Sequence, residues 1–169
     1  MRYRRLITVL SIFLAACAQE PPVPTSSPVP ASSPVPTSPG RKLIEDEQTV
    51  WSEYKCDSKK LPFIVFERDE ILPPVVKPAQ EFAYHFIYAI CTLHGQKTLK
   101  GNLSRKLYYK GQVIFQDTKK DFELNSGKWD VTSFVKVPPK AGSGAYNFEL
   151  TFSSPVVTIT RRAAFTVQR

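Results

Sequence analysis

Residues that carry chemistry are scarce in this chain. It has two histidines, three cysteines and seven glycines in 169 residues. His85 and His94 stand nine positions apart in the sequence, with no cysteine or carboxylate beside either at the spacing of a zinc site. No metal and no other cofactor is therefore expected. No glycine-rich phosphate loop occurs, which sets nucleotide chemistry aside. Glu67, Asp69 and Glu70 crowd one short stretch, whereas glycoside cleavage needs two carboxylates facing each other across a cleft. His85 falls in mid-strand and reads as a hydrogen-bonded structural residue, and His94, in a Leu-His-Gly turn, reads as exposed; neither has a nucleophile marked out for it. The chain is not expected to be an enzyme.

Long apolar runs are also missing. Leu6 to Leu14 is interrupted by Thr8 and Ser11 and falls well short of the roughly 20 residues of a membrane-spanning helix. What does stand there is ordered: Arg2, Arg4 and Arg5, then the apolar stretch, then Leu14-Ala15-Ala16-Cys17. This run resembles the lipobox of bacterial lipoproteins. The resemblance implies that residues 1–16 are a signal peptide removed before Cys17. The cysteine sulfur would then carry a diacylglycerol and its amino group a further acyl chain, which together hold a protein stably on a membrane. Ala18 follows where an aspartate would retain such a protein in the inner membrane, so the resemblance implies a lipid-anchored envelope protein of the outer membrane. Whether it faces the periplasm or the surface stays open.

Residues 17–42 read as a tether. From Pro21 to Gly40 the chain is almost all Pro, Ser, Thr, Val and Ala, and nearly repeats itself as Val23-Pro24-Thr25-Ser26-Ser27-Pro28, Val29-Pro30-Ala31-Ser32-Ser33-Pro34 and Val35-Pro36-Thr37-Ser38-Pro39. Proline fixes φ and removes donors, so a disordered, polyproline-like spacer without a core is expected.

Residues 43–169 suffice for one domain. In it Phe82, Tyr84, Phe86, Tyr88 and Ile90 alternate with a second, mostly apolar set, which predicts a central strand covered on both faces. Further strands are expected over 62–67, 103–109, 112–118, 129–137, 146–153 and 156–167, with Lys110-Gly111 as a hairpin turn. Residues 45–54 fit a short helix or an edge strand. About seven short strands without a helical period predict an all-β, antiparallel sandwich.

The stretch from Val135 through Pro138-Pro139 and a Gly-rich bend to Tyr146-Asn147-Phe148 resembles the E–F corner of immunoglobulin-like domains. The resemblance implies an Ig-like fold with Tyr146 as the structural tyrosine of the corner. Phe148 stands where antibody domains place their second core cysteine, so the antibody intersheet disulfide is not expected.

With Cys17 lipidated, Cys56 and Cys91 remain, and in an oxidising compartment an even pair closes into a disulfide; two buried thiols are the alternative. Of the net charge of +8, the leader arginines carry three. Eight basic residues then fall between Lys97 and Lys128, among aromatics. Arg105, Lys106, Tyr108, Lys110, Lys119 and Lys120 are the candidate partner-binding residues, although a solvated edge that guards a strand reads equally well. The expected partners are the membrane, through the lipid, and an envelope protein or anionic envelope component; nucleic acid is not expected. The leading expectation is a non-enzymatic binding or scaffolding domain. Alternatives are an Ig-like proteinase inhibitor using residues 73–79 or 138–144, an accessory lipoprotein of a secretion machine, and a hydrolase.

Overall fold

The computed structural model of the chain describes residues 39–169. The expected signal peptide, the lipidation at Cys17 and nearly all of the tether lie outside the described residues. Nine strands and one α-helix follow: β1 (Gly40–Glu45), α1 (Glu47–Glu53), β2 (Phe63–Leu72), β3 (Val75–Val76), β4 (Glu81–Cys91), β5 (Thr98–Tyr109), β6 (Gln112–Asn125), β7 (Gly127–Lys136), β8 (Gly144–Ser153) and β9 (Thr158–Val167), with a single 3-10 turn over Cys56–Ser58. All seven expected strands are present. β1 and β3 are additions, and β1 takes its first residues from the segment assigned to the tether. The ambiguous stretch resolves into α1, whose first turn is capped by Asp46 accepting from Thr49 N at 2.8 Å.

The strands form a four-stranded sheet, β1-β7-β4-β2, and a five-stranded sheet, β3-β9-β8-β5-β6. This is an Ig-like sandwich. β2, β4 and β7 occupy the places of strands A, B and E, and β5, β8 and β9 those of C, F and G, with β6 beside C. β1 pairs with the free side of β7, in the place that strand D holds in such domains, although it enters from the N-terminal end of the chain. β3 pairs in parallel with the end of β9. β5 and β6 join through Lys110 and Gly111, at φ 51° and 78°, the positive values a tight two-residue hairpin requires.

Alternation fixes which residues meet. Phe82, Tyr84, Phe86, Tyr88 and Ile90 of β4 point between the sheets and are almost wholly buried. Phe148, at the position of the absent core cysteine, lies with its ring centroid 4.7 Å from that of Tyr84 and 5.7 Å from that of Phe82. An aromatic cluster thus replaces the intersheet bond. The other face of β4 is covered at one end by α1, where Val50, Cys56, Ala89 and Cys91 form a second small core. Cys56 and Cys91 are disulfide-bonded, with Cα atoms 5.9 Å apart, and so join the turn after α1 to the end of the central strand.

Tyr146 donates to Gly142 O at 2.8 Å, the backbone bond that defines the tyrosine corner, and its ring stacks on Tyr109 at 4.6 Å.

Candidate functional site

The candidate hairpin cations do not share one surface. Arg105 is in register with Leu150 and shares the inward face of β5 with Leu103 and Leu107. It forms an ion pair with Asp117 on β6, its Nε 2.8 Å from Oδ1, and reaches across the sandwich to Ser133 Oγ and Phe134 O of β7. Arg105 is thus a latch between sheets, in place of the free surface cation expected of it. Lys97, Lys100 and Lys128 are likewise paired with carboxylates. Lys106, Lys110, Lys119 and Lys120 form no ion pair among the described residues. Lys110 sits at the hairpin tip, 5.2 Å from the Tyr109 ring centroid, and Tyr108 donates to Glu149 at 3.1 Å on the outer face.

Both histidines are engaged. On the outer face of the four-stranded sheet, His85 has Nδ1 3.0 Å from Glu70 Oε1 and Nε2 2.6 Å from Asp130 Oδ1. Its two nitrogens are taken up by carboxylates on the flanking strands, as expected of a structural residue. His94 packs its ring at 4.8 Å against Trp51.

That second contact marks a site the sequence did not single out. A cleft of about 1050 Å³ opens where α1, the turn after it, the β4–β5 loop and the start of β7 meet. Trp51, His94, Trp129 and Leu43 supply its ring and apolar walls, and Asp46, Glu47, Asp57, Lys55 and Lys97 its charges. Each wall is held from elsewhere in the fold. Trp129 Nε1 donates to Ser126 O at 2.8 Å, which sets the indole plane. Glu47 accepts from Lys97 Nζ at 3.0 Å and from Ser126 Oγ at 3.2 Å, tying helix, loop and turn together. The turn needs Gly127, at φ 97°, because a Cβ there would meet Glu45 O at 2.7 Å. The disulfide fixes the far end of α1.

Beneath the helix, Lys128 lies 3.2 Å from Glu45 and 3.0 Å from Glu67, and Tyr54 donates to Glu67. Glu67 first, then Glu45, hold the Lys128 ammonium well above the ordinary lysine range. Burial, then the bond to Glu67, push Tyr54 up to about 12. Burial pulls the Glu67 carboxyl upward, but the bonds from Tyr54 and Lys128 outweigh it and leave the group below its ordinary value. The cluster is a polar foundation for α1.

The segments required by the inhibitor alternative are each tied to the sandwich. Residues 73–79 contain β3, hydrogen-bonded to β9, and residues 138–144 are pinned by the buried Ala141 and by the bond from Tyr109 to Ser143 O at 3.1 Å.

No family model matches the sequence, and no curated protein does. Solved structures match in fold. A Pseudomonas fluorescens alkylpurine DNA glycosylase bound to DNA containing an abasic site analogue is 10% identical over 63% of this chain and 30% of its own, with a TM-score of 0.46. The β-glucuronidase of Parabacteroides merdae is 16% identical over 63% of this chain and 14% of its own, with a TM-score of 0.41. A CARDB domain from Pyrococcus furiosus, in complex with di-metal ions, is 16% identical over 63% of this chain and 87% of its own, with a TM-score of 0.39. The chain spans less than a third of the first two proteins. These likenesses concern the fold alone.

The partner expectation is corrected here. It named a membrane, an envelope protein or an anionic envelope component, and set nucleic acid aside. The first of these structures is of a protein held on DNA, and the expectation of an envelope binding partner with nucleic acid set aside is withdrawn.

Proposed function

We propose that this chain is a lipid-anchored envelope protein whose Ig-like sandwich is a non-enzymatic binding module, with the α1 cleft as its recognition site. The lipobox resemblance at Cys17 supports the anchor. The observation that carries the binding role is the cleft itself. Two indoles and an imidazole are partly open to solvent there, on a frame fixed by a disulfide, an N-cap and the Glu47 bonds. Preformed concave sites with apolar walls and a few charges suit recognition, and fixing the walls before binding lowers the ordering cost. The commitment of both ring nitrogens of His85 to carboxylates favours binding over chemistry.

Both tryptophans of the chain line the cleft, so its occupancy can be read from their emission. Extract fractions containing the ligand should shift the emission of the folded protein. The shift should be absent from Leu43→Asp, which places a charge on an exposed edge-strand wall. An equal shift in the variant would remove the cleft from the account. The anchor is tested separately, since Cys17→Ala should release the protein from the membrane fraction.

A further inference from the structure

A second pocket, of about 320 Å³, lies between the sheets at the edge where β1 and β7 face β5 and β6. Its walls are mainly apolar, Phe86 and Val131 from one sheet and Leu103, Phe122 and Leu150 from the other, with Thr132 and Ser133 beside them. Its rim is cationic, formed by Arg41, Arg105 and Lys119. The Arg41 guanidinium stands 4.3 Å from the centroid of the Phe122 ring and the Lys119 ammonium 5.7 Å from it. Asp117 is committed to Arg105. Arg41 donates to the Glu123 carbonyl at 2.8 Å, and neither it nor Lys119 forms an ion pair among the described residues.

A bulge in β6 creates this arrangement. Gly101 pairs with Phe122 and Leu103 with Lys119, so Lys120 and Asp121 together oppose one residue of β5, with Asp121 at φ 53°. Bulges re-aim side chains, and this one sets Lys119 opposite Leu103, on the face that lines the gap between the sheets. One inward lysine at a sheet edge is explained as a guard against strand addition. Three cations converging on one apolar slot, with a single carboxylate among them, are more than a guard requires.

We propose that this slot binds a small amphipathic anion. Its carboxylate or phosphate head meets Arg41 and Lys119 through charge-assisted bonds, and its apolar body, on the order of ten non-hydrogen atoms at roughly 30 Å³ each, lies between the sheets against Phe86, Leu103 and Phe122. The anion is a soluble one. A bilayer offers the same head charge, but its lipid tails are far larger than the slot.

Calorimetric titration of the full chain tests this. Octanoate should bind saturably at one site per chain, with octanol and inorganic phosphate at least tenfold weaker, since each lacks half of the required chemistry. Arg41→Gln and Lys119→Gln should each weaken octanoate at least fivefold without shifting the melting temperature. Both lie on edge strands, and Arg105 is left in place because it latches the sheets. Tryptophan emission should not change on octanoate binding, since both indoles line the other cleft. Octanol binding as well as octanoate, variants that bind like the parent, or binding only to phosphatidylglycerol vesicles would overturn the proposal.

Discussion

Arg105 and Arg161 flank Leu150 in one row of the five-stranded sheet, and each reaches across an opposite edge of the sandwich to the facing sheet. Arg105 meets Ser133 and Phe134 of β7 and pairs with Asp117, while Arg161 pairs with Asp69 of β2 at 2.7 Å and lies over Phe66. The same sheet pair is therefore latched on both sides by guanidinium groups, whose fixed fork suits several acceptors at once.

The two latches should differ in strength. Removing Arg161 leaves a carboxylate that is only 15% exposed, whereas removing Arg105 leaves one that is 35% exposed and can be rehydrated. Arg161→Ala should cost about 3 kcal/mol and Arg105→Ala about 1–2 kcal/mol in denaturant unfolding. Equal losses, or a larger one for Arg105, would contradict this reading of the two edges.

Much of the fold was legible in the sequence because alternation is a direct signal. The aromatic row of β4 announced a central strand, although α1 covers its second face at one end only, and Tyr146 behind its proline and glycine bend announced the corner. β1 was not legible: its residues Gly40 to Ile44 are exposed on both faces, so no apolar period exists, and only pairing with β7 makes them a strand. β3 is two residues long and depends on β9. The inward role of Arg105 could have been read from its phase with Leu103 and Leu107, but the count of cations around it suggested a surface. The cleft could not be read at all. Trp51, His94 and Trp129 are far apart in the chain and meet only once α1 is pinned across the sheet.

The corner bond can be measured alone. Tyr146→Phe keeps the ring and its stacking on Tyr109 but deletes the donor to Gly142, and should cost on the order of 1 kcal/mol. An unchanged denaturation midpoint would show that the bond contributes nothing.

The disulfide should matter for both stability and the cleft. Cys56→Ser should lower stability by about 2–5 kcal/mol. It should also loosen the anchorage of α1 and so shift Trp51 emission toward the solvent-exposed range. Full alkylation of both cysteines in the folded, unreduced protein would show that they are not bonded.

The foundation of α1 predicts an acid dependence. Glu67 has a folded value below its reference of 4.5, so its contribution to stability is complete above about pH 4.5 and is lost as pH falls through the lower folded value. Glu67→Gln should remove that part of the acid loss, so parent and variant stabilities should converge as pH falls below about 4.5. A gap between them that is constant from pH 7 to pH 3 would rule out the Glu67 carboxylate as its source.

The central claim, recognition at the α1 cleft, is tested most directly by placing a photo-crosslinking residue at Ser52, an exposed position lining the cleft, in cells that make the protein, with Thr160 on β9 as the control position. The account predicts one discrete adduct from Ser52, none from Thr160, and loss of the Ser52 adduct in a folded Trp51→Ala, His94→Ala variant. No adduct from Ser52, or one that persists unchanged in that variant, would contradict it.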